Sequence, residues 1–147
     1  MRNILPYLLI FFLSPGCKNY SSEADAIKKL LEKESATWRS GDIKGHAECW
    51  KIQPYSRILV STGDGNVIDV PPGNMISPPG QKMGTGGSSV NTNYKINISG
   101  DNAWVSHNEE STSNEGTQTA SYEIRILEKI NNEWKLVGQS IHIIKPK

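Results

Sequence analysis

The chain carries three histidines, and the one best placed for chemistry is His142, in the closing run Glu133–Lys145. Side chains alternate across a strand. Trp134, Ser140 and His142 therefore share a parity in that run, and Tyr122 faces them from the preceding run Ser121–Ile130. A histidine beside a serine and opposite a tyrosine can exchange a proton near neutral pH, with the tyrosine stabilising an oxyanion. The pocket carboxylate that such chemistry wants would come from Glu109, Glu110 or Glu128. His142 and Tyr122 are thus the catalytic candidates, though the same residues can equally line a passive pocket. His107 shares its parity with Glu109, as any exposed strand neighbours two apart would, and His46 reads as a surface residue of a short helix.

Other chemistries lack their residues. The histidines and Cys49 are scattered, without the paired spacings that zinc sites show. Gly84-Thr85-Gly86-Gly87 has no lysine-bearing helix after it, so it does not read as a phosphate loop. A formal net charge of +1, with lysine and glutamate mixed along the chain, offers nothing for nucleic acid. No cofactor is implied. The aromatic residues Trp50, Tyr55, Trp104, Tyr122 and Trp134, with Ser140 and His142, are the candidate ligand-binding set. Trp50 and Tyr55 stand where helices hand over to strands, a natural pocket mouth.

Positioning these residues requires a fold, and 147 residues suit one domain behind an export signal. Residues 1–16 have a single Arg2, an apolar run from Ile4 to Leu13, and Ser14-Pro15-Gly16 before Cys17. That is the pattern of a signal peptide, too short to span a bilayer. Cys17 directly after Gly16 resembles the lipidated cysteine of a bacterial lipobox, although Ser14 stands where leucine is usual. The expectation is a lipid-anchored protein facing the periplasm or cell surface, with a tether over 17–21 and a domain over 22–147. Lipidation leaves Cys49 without an internal partner. Loss of Arg2 brings the 16 basic side chains down to match the 15 acidic ones.

Ser22 reads as an N-cap, and Ile27, Leu30, Leu31 and Trp38 fall on one helical face until Gly41. Asp42 caps a second helix, in which Gly45 is a weak point. Strands follow over Ser56–Thr62, Val67–Val70, Val90–Ser99, Ala103–Glu110, Thr119–Ile130 and Glu133–Lys145. The stretch Pro71–Ser89, rich in Pro, Gly and Ser, interrupts them and is a candidate flap. Helices followed by antiparallel strands mean an α+β domain. Charge separation in the last hairpin favours a three-residue loop Asn131–Glu133 with Ile130 opposite Trp134. Tyr122, Ile124, Ile126, Leu136, Ser140 and His142 then share an apolar face. Glu123, Arg125, Lys129, Lys135 and Gln139 share a polar one, on which Ile141 and Ile143 are misfits.

Three stretches carry a family likeness: Gly41-Asp42 leading to Cys49-Trp50, Gly100-Asp101-Asn102-Ala103-Trp104-Val105-Ser106, and Leu127 to Val137. In this order and spacing the chain resembles the nuclear transport factor 2-like superfamily, in its SnoaL-like branch. The resemblance implies a cone-shaped, cystatin-like α+β fold, with a strongly bent antiparallel sheet wrapped around N-terminal helices and open to a cavity. It also implies frequent dimerisation through the sheet. Its members include dehydratases, isomerases and cyclases beside proteins that bind ligands or partners without catalysis, so the fold does not select an activity. The leading expectation is non-catalytic binding of a small apolar molecule or a protein partner. The alternatives are an isomerase, dehydratase or cyclase using a His or carboxylate base, and a structural dimerisation or assembly module.

Overall fold

The computed structural model describes residues 20–81, 83–84 and 86–144. Residues 1–19, on which the expected signal peptide and Cys17 fall, and residues 145–147 lie outside them. Helix α1 runs Tyr20–Ser40, starting ahead of Ser22. Tyr20 belongs to the helix because its hydroxyl donates to the Ile96 carbonyl at 2.7 Å, fastening the first turn to the sheet. Ile27 and Leu31 are buried on its inner face, and Glu34 and Ser35 continue that face into the protein. Gly41, at φ +73°, ends the helix in the left-handed conformation that glycine tolerates best. Asp42 then caps α2, Ile43–Cys49, by accepting from the Gly45 amide at 2.9 Å. A Cβ on Gly45 would lie 2.2 Å from the Asp42 carboxylate and 2.9 Å from Thr37. Glycine is needed there for closeness, which outweighs its poor helix propensity.

Six strands form one sheet in the order β2-β1-β6-β5-β4-β3. They are β1 (Ile58–Ser61), β2 (Val67–Val70), β3 (Ser88–Ser99), β4 (Asn102–Thr112), β5 (Gln118–Ile130) and β6 (Glu133–Ile144). The sheet is mixed, because β1 runs parallel to β6 while every other pair is antiparallel. The chain leaves α2 already running beside β6, with the Lys51 amide donating to the Leu136 carbonyl at 2.9 Å. That entry fixes the direction of β1. The 71–84 region contributes two short 3-10 turns, Pro72–Met75 and Pro79–Gln81, in place of a further α-helix.

The last hairpin has a two-residue turn. Asn131 and Asn132 both have positive φ, the geometry that tight hairpins favour, and Ile130 pairs with Glu133. Between Ile126 and Leu127 the register shifts by one, so that Tyr122 faces His142. The expected loop is therefore corrected, but the pairing it implied for the far half of the hairpin is present. A bulge at Val137 makes the difference, and bulges bend the strand that carries them. It also moves Leu136 to the helix side, opposite Leu127.

The core lies between the helices and one sheet face. Ile27, Leu31, Cys49, Trp50, Ile58, Val105, Leu127, Trp134 and Leu136 are all buried there. The outer face shows the reverse of a soluble surface: Trp104, Tyr122 and Ile126 are 46%, 40% and 48% exposed.

Candidate functional site

The helix-facing side of the sheet is lined at its centre by charge. On β5, Ser121, Glu123 and Arg125 point inward; on β4, His107 and Glu109 do so; on β6, Gln139, Ile141 and Ile143. Helix α1 brings Glu34, Ser35, Trp38 and Arg39, and α2 brings His46. All of these but His107 line a cavity of about 800 Å³. Ile58, Val60, Val70, Met75, Ile141 and Ile143 form its apolar walls.

Arg125 is 3% exposed and organises the polar side of this cavity. Its Nη2 donates to Glu123, its Nη1 to Gln139, and Nη1 also stands 3.4 Å from Glu34 Oε2. Ser121 donates to the other Glu123 oxygen at 2.8 Å. The second oxygen of Glu34 meets His46 Nε2 at 3.0 Å. His46 Nδ1 lies 2.8 Å from the Met75 carbonyl, which can only accept, so Nδ1 carries a hydrogen. One proton then sits between Nε2 and Glu34. Glu109 is held separately, by Arg39 at 2.6 Å and the Ser35 hydroxyl at 2.8 Å.

Burial alone would push the Glu34 carboxyl up, but the Arg125 charge and the His46 hydrogen bond outweigh it and bring it below its ordinary value. Burial likewise opposes charge on Arg125, and Glu123, Glu34 and Glu109 more than reverse this. His107 is pushed down by burial and then by the Arg125 charge, and Glu123 offsets only part of it. His107 is therefore neutral at neutral pH, stacked on Tyr94 with ring centres 5.2 Å apart.

Of the candidate residues drawn from the sequence, only Glu109, one of the three carboxylate candidates, lines this cavity. Tyr122, Ser140 and His142 lie on the outer face, where the Ser140 hydroxyl meets His142 Nε2 at 3.0 Å. Trp104 is on the same face, opposite Ile126. Trp50 is buried in the core between helix and sheet, and Trp134 is buried with its indole N–H donating to Glu23 at 2.7 Å. Tyr55 is 64% exposed and donates to Glu128 at 2.5 Å. His46 and His107, expected at the surface, are both buried. The inversion has one cause. Charge along a strand reads as a sign of solvent, whereas these charges neutralise one another under the helices. A signal was present: Glu34 falls on the α1 face of Ile27, Leu31 and Trp38, where a carboxylate needs a buried partner. Ile141 and Ile143, misfits on the supposed outer face, are cavity wall.

Among the described residues, no group of His, Cys, Asp and Glu side chains is placed to hold a metal ion. Cys49 is free and buried, its thiol pushed up to about 11, chiefly by burial.

No family model and no curated protein matches the sequence. Solved structures do match. An NTF2-like protein from Cytophaga hutchinsonii is 17% identical, with a TM-score of 0.62 over 83% of this chain and 98% of its own. A protein with a cystatin-like fold from Nostoc punctiforme is 13% identical, with a TM-score of 0.64 over 86% and 94%. An NTF2-like family protein from Streptomyces avermitilis, provisionally named a dehydratase, is 12% identical, with a TM-score of 0.67 over 86% and 99%. The chain has the nuclear transport factor 2-like fold, an α+β architecture of helices on a mixed six-stranded sheet. That fold serves ligand-binding and enzymatic proteins alike, so the reading of function rests on the cavity.

Proposed function

We propose that this is an exported, lipid-anchored binding protein that holds a small molecule with an apolar body in the cavity under α1, without transforming it. The observation that carries this is that the buried acid–base groups around the cavity are each engaged within the fold. A general base needs a free carboxylate or imidazole aimed at the substrate. Here Glu34, Glu109 and Glu123 are each paired with a guanidinium, and both nitrogens of His46 are engaged within the fold. The enzyme alternative would require one of these to abandon its partner, or would fall to the exposed Glu115 on the cavity wall. Within the buried network the charges balance: two guanidiniums and the proton shared by His46 and Glu34 face Glu34, Glu109 and Glu123, which favours a ligand without a charge of its own there. Export and anchoring rest on residues 1–17 alone. Cys17→Ala should move the protein from the membrane to the soluble fraction, and continued membrane retention contradicts the anchor.

Apolar wall and cavity size suit a chain such as that of 1-octanol, at about 0.8 kcal/mol for each buried methylene before the costs of binding. Calorimetric titration should show saturable 1:1 binding to the wild type and at least tenfold weaker binding to Ile141→Trp, which fills the cavity from β6 (about 1.4 kcal/mol). Equal binding by both would overturn the assignment.

The outer face favours a second role, a homodimer through the sheet. Trp104, Tyr122, Ile124 and Ile126 are apolar neighbours across β4 and β5, joined by the small Ser106 and Ser140, with Lys95, Glu110 and Glu128 toward the margins. An uncharged centre with charged margins can pair with itself about a twofold axis. Sedimentation should give a dimer that Ile126→Lys converts to a monomer. A monomeric wild type sinks this role.

A further inference from the structure

We propose that the cleft between the C-terminal half of α1 and the start of β3 is a second subsite, which receives an uncharged hydroxyl- or amide-bearing head group of the molecule whose apolar body fills the main cavity. The inference stands on the cavity reading above and adds the chemistry of the other end of the ligand.

The cleft measures about 540 Å³ and is continuous in its walls with the main cavity, since Ser35, Arg39 and Asn114 line both. Its other walls differ in character from those of the main cavity. Ala36, Ser40, Ser88, Ser89 and Asn91 are small or polar, and no large apolar side chain contributes. The apolar chamber and the polar one therefore adjoin along Ser35, Arg39 and Asn114, where one ligand would cross from one to the other. The loop that borders the cleft is held closely. A Cβ on Gly86 would fall 2.2 Å from Asn114, and one on Gly87 1.8 Å from the Thr112 carbonyl.

Hydrogen-bonding capacity defines the head group. Ser40, Ser88, Ser89, Asn91 and Asn114 line the cleft with hydroxyl and amide groups, which both donate and accept hydrogen bonds. A head group that does the same can pair with them in place of water. A carboxylate offers acceptors only and an ammonium donors only, whereas a hydroxyl or an amide offers both. Charge points the same way. Arg39 is neutralised by Glu109, and Glu32 stands on the cleft wall, so an anionic head is disfavoured.

The test compares n-octyl β-D-glucoside, below its micelle concentration, with 1-octanol. The wild type should bind the glucoside about tenfold more tightly, as one or two net hydrogen bonds give. Ala36→Trp, on the exposed side of α1 and bordering only the cleft, should reduce glucoside binding to the octanol level and leave octanol unchanged. Ser89→Trp, entering from β3, should do the same and serves where the first variant folds poorly. Ile141→Trp should weaken both probes. Equal affinities in the wild type, or a preference that survives both cleft variants, would overturn the subsite while leaving the cavity reading intact. Failure of the wild type to bind either probe would overturn both.

Discussion

Replacing Arg125 with methionine should destabilise the folded domain by about 3–5 kcal/mol, the cost of stranding buried charge. The guanidinium is the shared counter-charge of Glu34 and Glu123 and the partner of Gln139, all of them inside the protein. Methionine keeps much of the volume and removes every one of these interactions. Urea unfolding monitored by far-UV circular dichroism would read the loss directly. The double variant Arg125→Met, Glu123→Gln should recover part of it, because one stranded carboxylate is then neutral. A loss below about 1 kcal/mol would mean that the network is solvated rather than buried.

Acid should destabilise the protein across two pH windows. His107 is neutral in the fold, and its folded value lies below the ordinary 6.5. The unfolded chain takes up a proton there as the pH falls past 6.5, while the native state resists it until lower pH, so stability is lost across that interval. Glu34 acts lower. Its folded value lies below the ordinary 4.5, so its contribution is complete above that pH and is lost as the pH falls through the depressed value. Thermal midpoints measured from pH 8 to pH 3 should decline in both windows. His107→Phe, which keeps a ring against Tyr94, should flatten the upper decline and leave the lower one. A profile unchanged by that substitution would show that His107 is not the group responsible.

Much of the fold was legible because it depends on local patterns. Gly41 ends α1 and Asp42 caps α2 as their residue types require, and Asn131-Asn132 turns the final hairpin. The six strands fall within a few residues of their apolar and β-branched runs. What was not legible depends on contacts between distant segments. The parallel pairing of β1 with β6 follows from how the chain leaves α2. The bulge that carries Leu136 to the inner face is marked only by Gly138, the isolated strand glycine beside it.

The site was less legible than the fold for the same reason. Alternation along β5 separates Tyr122, Ile124 and Ile126 from Glu123 and Arg125, but alternation does not say which side the helices cover. Glu34 on the buried stripe of α1 decides it, since a carboxylate there calls for Arg125 from the sheet. His142, Tyr122 and Ser140 were attractive as chemistry and belong to the outer face. His46 and Arg125 were unremarkable as sequence and border the cavity.

The central claim is that ligand binds on the helix-facing, charged side of the sheet. Its most direct test is a ¹H–¹⁵N and methyl NMR titration of the wild-type domain with 1-octanol. The shifts should concentrate on Ile58, Val60, Val70, Gln139, Ile141 and Ile143 and on the Trp38 indole, all cavity residues. Shifts confined to Trp104, Tyr122, Ile126 and His142, or none at saturating probe, would contradict it.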